Sequence, residues 1–170
     1  MSTRRKGQHL VFGPEDGKSY WQPEPADGYA TIKLSPENCE SNTMAAGFQV
    51  IDPGGQIRPH AHARNEELLF VWEGSGVAEV EGERTDVEPG SLVYVSRWVE
   101  HTIINTGTVP LKVLWVITPP GLESFFAAVG RDRHPEESAP ASFGRPENVQ
   151  QLVDAAHFAR PEDLAEFSSR

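Results

Sequence analysis

The chain has 170 residues, 38% of them hydrophobic, and a formal charge of −10. That length suits one domain with a sizeable core, or one domain plus a tail. The negative charge repels DNA, RNA and anionic membrane, so none of these is expected as a partner.

The lone Cys39 excludes an intrachain disulfide and any cysteine-based metal site. No apolar run reaches the roughly 18 residues of a membrane span. The basic start, Arg4-Arg5-Lys6, is not followed by the apolar stretch of a signal peptide. A soluble cytoplasmic protein is therefore expected. Fifteen Gly and fourteen Pro predict many turns between short strands.

Taken in order, residues 1–18 are polar and read as a frayed or draped segment. Tyr20-Trp21, before Gln22-Pro23-Glu24-Pro25, reads as an irregular arm with aromatic anchors. Gly28–Leu34 alternates weakly, as a strand would. Thr43–Ile51 is a firmer strand, with Met44, Ala46, Phe48 and Val50 sharing a face. Asp52-Pro53-Gly54-Gly55 makes a turn. Strands are then expected at Ile57–His62, Leu68–Glu73, Val77–Glu81, Arg84–Val87, Leu92–Val95, Thr102–Asn105 and Leu111–Ile117. Gly82-Glu83 marks a hairpin between the fourth and fifth of the chain's middle strands. Short strands with frequent turn signals predict an all-β antiparallel sandwich or barrel. Beyond Pro119-Pro120 the period changes. Leu122, Phe125, Phe126 and Val129 predict a short helix over Gly121–Gly130. Arg131–Pro146 reads as a loop, Glu147–Phe158 as a second helix and Pro161–Phe167 as a third. The organisation is thus an N-terminal arm with the first strand or strands (1–43), a barrel core (44–118) and a C-terminal helical extension (119–170). The helices cap the barrel or make dimer contacts.

The chemistry concentrates between Gly54 and Gly74. His60 and His62 are two residues apart, so in a strand both imidazoles project from one face. Glu67 follows the short segment Ala63–Glu66, which has room to turn its carboxylate back to them. Two imidazoles and a carboxylate suit a divalent first-row ion, and His101 offers a fourth donor. Gly54, Gly74 and Gly90 are assigned to turns. Arg58 shares strand parity with the two histidines and, if inward, grips an anionic substrate. Tyr94, Trp98 and Trp115 are candidate pocket walls, or plain barrel core. Asn105 either bonds backbone or orients a ligand. Phe125 and Phe126 are read as helix-to-barrel packing, and His9, His134 and His157 as solvated.

These residues resemble the cupin superfamily. Gly54, five residues, His60-Ala61-His62, four residues, Glu67, six residues and Gly74 reproduces the first cupin motif. Gly90, five residues, Ser96, then Trp98, two residues, His101, three residues and Asn105 resembles the second. Cupins usually carry Pro and Gly where this chain has Ser96 and Trp98, so the turn before His101 is expected to differ in shape. The likeness spans about residues 44–118. The exit Thr118–Phe126 is similar to that of small quercetinase-like cupins. The resemblance implies a double-stranded β-helix, a jelly-roll barrel, with His60, His62, Glu67 and His101 as metal ligands. Motif register favours Glu67 over its neighbour Glu66. The implied ion is iron, manganese or nickel, with zinc or copper as alternatives.

A net positive three-His, one-Glu centre with open positions favours anionic oxygen donors such as enolates, phenolates or carboxylates. Glu67 is also the candidate general base. The leading expectation is a dioxygenase of a small aromatic or enolic substrate. The alternatives are a non-redox isomerase, lyase or decarboxylase, and a non-catalytic small-ligand-binding protein. The apolar run Val113–Ile117 fits burial on both faces, and a homodimer is expected.

Overall fold

A computed structural model describes residues 6–156, 158–159 and 163–164. Ten strands and two helices are assigned among them. The strands are β1 (Lys18–Trp21), β2 (Tyr29–Leu34), β3 (Ala45–Ile51), β4 (Glu66–Glu73), β5 (Gly76–Val80), β6 (Glu83–Val87), β7 (Leu92–Val95), β8 (His101–Ile104), β9 (Leu111–Thr118) and β10 (Arg131–Asp132). The helices are α1 (Leu122–Val129) and α2 (Val149–Ala155). One sheet runs β10-β1-β2-β3-β9-β4-β7 and the other β6-β5-β8, with every pairing antiparallel. No helix among the described residues is long and apolar enough to cross a membrane.

Alternation explains the layering. In β9, Leu111, Val113, Trp115 and Ile117 are buried, whereas Lys112, Leu114 and Val116 are only half-buried. In β4 the buried set is Glu67, Leu69 and Val71. These side chains share one core with Ala78, Val87 and Ile103 of the small sheet. Burying such strand faces is the main stabilising contribution, at about 25 cal/mol per Å² of apolar surface. The outer face of the large sheet is also apolar, with Phe48 edge-on to Trp72 at 4.2 Å between ring centroids.

One cross-strand pair fixes the spacing of β3 and β9. Gly47 lies opposite Trp115, and a Cβ there would come within 2.6 Å of the indole Cζ2 and would also press on the Thr31 carbonyl. Glycine is what lets the large ring lie across β3. Gly47→Ala is expected to destabilise the fold by about 1–3 kcal/mol, the range for overpacking a tight core. The denaturant midpoint measures this, and an unchanged midpoint would show that β3 yields freely.

α1 caps the core through Leu122, Phe125, Phe126 and Val129, all buried, as the spacing predicts. Several expectations need correction. Tyr20-Trp21 is no irregular arm: it forms the end of β1, held between β2 and β10. β2 follows after a short connection, but β10 comes from more than 100 residues away, so local alternation gave no sign of that pairing. Arg131-Asp132, expected in a loop, supplies the short edge strand β10. Ile57–His62 is extended but forms only isolated bridges at Gln56, His60 and His62. Pro59 interrupts it, since proline has no N–H to give a ladder. In β3 the buried interior face is Ala45, Gly47, Gln49 and Ile51, and Met44 is exposed. The second helix is shorter than expected, Val149–Ala155, and Phe158 instead makes a bridge with His62. The third expected helix, 161–167, lies outside the described residues except for Asp163 and Leu164, which are helical.

Candidate metal centre

Four side chains meet where the extended segment 56–62 crosses β8 and β4. His60 and His101 face each other in an antiparallel bridge. Each N–H donates to the other's carbonyl, at 3.1 and 2.9 Å. That bridge stacks their rings at 4.2 Å between centroids. His62, two residues on, joins from the same segment. Its carbonyl accepts the Trp98 N–H at 2.9 Å, which ties the turn before β8 to the His62 strand. Trp98 takes φ 68°, a left-handed conformation natural to glycine and costly for a large side chain. The turn thus keeps a glycine-like backbone without the glycine usual in the second motif.

Glu67 enters from β4, opposite Val95 and Ile117. The potential ligand atoms of His60, His62, Glu67 and His101 all lie within 4.8 Å of one another. His62, Glu67 and His101 are buried, at 2%, 4% and 2% exposure. The outer nitrogens show how the rings are set. His60 Nδ1 lies 2.8 Å from the Arg58 carbonyl and His101 Nδ1 3.0 Å from that of Val99. A carbonyl only accepts, so each Nδ1 carries the proton and each neutral ring turns an Nε2 lone pair inward. Yet Nε2 of His62 and of His101 lie 3.2 and 3.1 Å from Glu67 Oε2. At His101, whose Nδ1 carries the ring proton, a lone pair faces a carboxylate oxygen, which is repulsive unless a proton or a cation lies between. The donor set therefore fits a cation held by these four side chains.

The electrostatics agree. Burial lowers the His60 imidazole well below its ordinary range, and the neighbouring His101 and His62 push it the same way, so it stays neutral. Burial by itself would raise the Glu67 carboxyl. The adjoining His101 and His62 outweigh that and hold it far below the usual carboxylate range. The result is a neutral His60 ring beside an ionised carboxylate, the forms in which these groups bind metals.

The other candidates fall in different places. Glu66 lies on the opposite side of β4, where Tyr94 Oη donates to it at 3.3 Å. Tyr94 is 61% exposed on that outer face, away from the donors. Trp115 is core, packed on Phe126 at 5.5 Å between centroids. Asn105 clasps backbone: its Nδ2 donates to Ile51 and Val109, and its Oδ1 accepts from Gly107. Trp98 shapes the turn and does not line the cavity beside the donors. Arg58 does line it.

That cavity, of about 230 Å³, opens from His60, Glu67 and His101. Its walls include Phe125, Phe126 and Phe158, and its polar lining includes Gln49, Gln56 and Arg145. The two α1 phenylalanines thus pack the barrel and wall the cavity together. Sequence reasoning missed Gln49, although its parity with Gly47 and Ile51 marks it as inward. It had no means of finding Phe158 or Arg145, which reach the site from far along the chain. Phe158 lies 5.2 Å from the His60 ring and 5.0 Å from that of His62, and the Ala159 N–H donates to Ala61 at 2.7 Å.

Comparison with known proteins bears on the same segment. The model of the cupin domain family matches residues 47–117. The tetracenomycin polyketide synthase protein TcmJ of Streptomyces glaucescens is 31% identical over 92 residues, 54% of this chain and 62% of that protein. Gentisate 1,2 dioxygenase 1 of Aquipseudomonas alcaligenes is 32% identical over 77 residues, 45% of this chain and 21% of the dioxygenase. The chain therefore spans less than two thirds of either relative. The crystal structure of a predicted oxalate decarboxylase from Thermotoga maritima superposes with a TM-score of 0.57 at 22% identity, covering 66% of this chain and all of that one. It shares the fold. With the two-sheet barrel, both motifs and the family model all falling on one segment, residues 47–117 form a cupin domain.

Proposed function

We propose that His60, His62, Glu67 and His101 bind one divalent transition ion, iron, manganese or nickel ahead of zinc or copper. On this reading the protein is a dioxygenase acting on a small aromatic or enolic substrate. The observation that carries it is the convergence of four donors, with Nε2 lone pairs aimed inward, at one end of a cavity with aromatic walls. The ion, when bound, supplies Lewis acidity and open positions for oxygen donors. The protein does the rest. Backbone carbonyls of Arg58 and Val99 hold two imidazoles in one tautomer. Glu67, kept ionised, receives the proton that a substrate hydroxyl loses on binding. Phe125 and Phe158, whose rings meet edge to face at 4.9 Å between centroids, form one apolar wall that excludes water. Insertion of both atoms of O2 into the substrate needs no external reductant. The named activity of the gentisate dioxygenase relative supports this class.

We place the protein in the cytoplasm as a homodimer, joined through the half-buried outer face around Phe48, Leu114 and Val116.

Oxygen uptake tests the function. Protein loaded with iron, manganese or nickel should consume O2 stoichiometrically with at least one catechol, hydroxy-ketone or flavonol. The cavity lies below the roughly 300–1,000 Å³ of ordinary ligand pockets, so single-ring compounds should react fastest. No uptake across such a panel, with turnover under strict anaerobiosis on the zinc form, would replace this reading with a non-redox isomerase, lyase or decarboxylase. Tight ligand binding with no product in either case would identify a binding protein.

A further inference from the structure

We propose that Arg58 and Arg145 together bind a carboxylate, so that the substrate is a small anionic acid whose opposite end carries the metal-chelating oxygens. The inference rests on the reading above and supplies its substrate class. The two arginines arrive independently, one on the segment that delivers His60 and the other from the chain between α1 and α2. Both line the cavity.

Neither has an acid partner among the described residues. Arg84 is paired with Glu79 and Arg133 with Glu15. Arg58 reaches only the Glu24 backbone carbonyl, at 3.4 Å. The guanidinium carbon of Arg145 lies 5.6 Å from the centre of the Phe125 ring, and its Nε is buried with no hydrogen-bond partner. Glu100 also lines the cavity but makes no ion pair with either. This is not for want of anions, since the chain has 25 acidic residues against 15 basic ones.

Burial lowers Arg145 from its ordinary value, and the charge of Arg58 adds to that effect. Arg58 is exposed and Arg145 half-buried where they line the cavity; two like charges there repel each other, and an anion between them turns that cost into attraction. The planar guanidinium fork matches a carboxylate in bidentate fashion. With His60, Glu67 and His101 elsewhere on the same cavity, a single-ring acid can engage both ends.

Calorimetric titration of the zinc-loaded full chain with 3,4-dihydroxybenzoate and with its methyl ester tests this. The diphenol end is common to both probes and only the carboxylate differs. Wild-type protein should bind the acid at least about tenfold tighter than the ester, as expected for charge-assisted bonds. Arg145→Gln and Arg58→Gln should each abolish most of that preference while leaving ester affinity and melting temperature unchanged. Arg145→Lys, which keeps the charge without the fork, should fall between. Equal affinities in the wild type, no measurable acid binding, or a preference that survives both glutamine variants would overturn the proposal. The metal-stripped protein separates this inference from the dioxygenase reading. An acid preference that persists there, and is lost in the glutamine variants, locates the carboxylate at the arginines even if no oxygen is ever consumed. A preference that vanishes with the metal and ignores the arginine variants places the carboxylate on the ion instead.

Discussion

His101→Ala should strip the protein of its metal and stop turnover, while leaving the barrel folded. His101 contributes one of four donor atoms grouped within 4.8 Å. It also connects two parts of the chain: its backbone bridges His60 and its ring reaches Glu67. Changing even an outer hydrogen-bond partner of a metal ligand commonly costs about 10–100-fold in affinity or activity. Loss of a ligand should exceed that, so occupancy below a tenth of wild type and a rate loss of at least about 100-fold are expected. The fold should survive because the bridge to His60 is made by main-chain atoms, which alanine retains. Elemental analysis, oxygen uptake and circular dichroism on one preparation read all three quantities. Full occupancy in a folded His101→Ala protein would remove His101 from the centre. Glu66→Gln is the matched control. Its carboxylate lies with Tyr94 on the far side of β4, so metal content should stay within about twofold of wild type, whereas Glu67→Gln should behave like His101→Ala.

The first motif was legible because its information is local. Two histidines two residues apart, a carboxylate after a short turn and bracketing glycines describe one continuous stretch, and strand parity orders its side chains. The strands β4 to β9 were legible for a similar reason: each is a short run between turn residues, and in β4 and β9 burial alternates along it. What was not legible depends on pairing across distance. Tyr20-Trp21 becomes strand only because β2 and β10 lie beside it. The segment 56–62 looked like a strand by composition, but its bridges are set by β8 and broken by Pro59. The cavity was the least legible part. Arg145 and Phe158 lie in polar, proline-rich or short helical chain with no periodic signal, yet both line the cavity, and Phe158 also packs against the His60 and His62 rings. Aromatic identity misled in the other direction: Tyr94 and Trp115 look like pocket walls in a sequence, and β-sheet parity sends one outward and the other into the core.

Trp115 turns that last distinction into a measurement. Its side chain is 1% exposed, lies opposite Gly47 on β3 and packs on Phe126. Trp115→Ala should therefore cost about 3–5 kcal/mol, the range for truncating a large buried aromatic side chain. For a domain of this length that is a melting-temperature drop of roughly 10 °C. Were Trp115 a pocket wall instead, the same substitution would raise KM and leave stability nearly intact. The indole Nε1 is buried without a hydrogen-bond partner, which sharpens the test. A buried N–H with nothing to donate to is a standing penalty of about 1–3 kcal/mol. Trp115→Phe removes that penalty along with part of the packing, so its net loss should be well under half that of alanine. If both variants destabilise equally, the N–H has a partner, such as a buried water, and the ring is held by more than its contact with Phe126. If neither does, the β3–β9 contact does not depend on the Gly47–Trp115 pair.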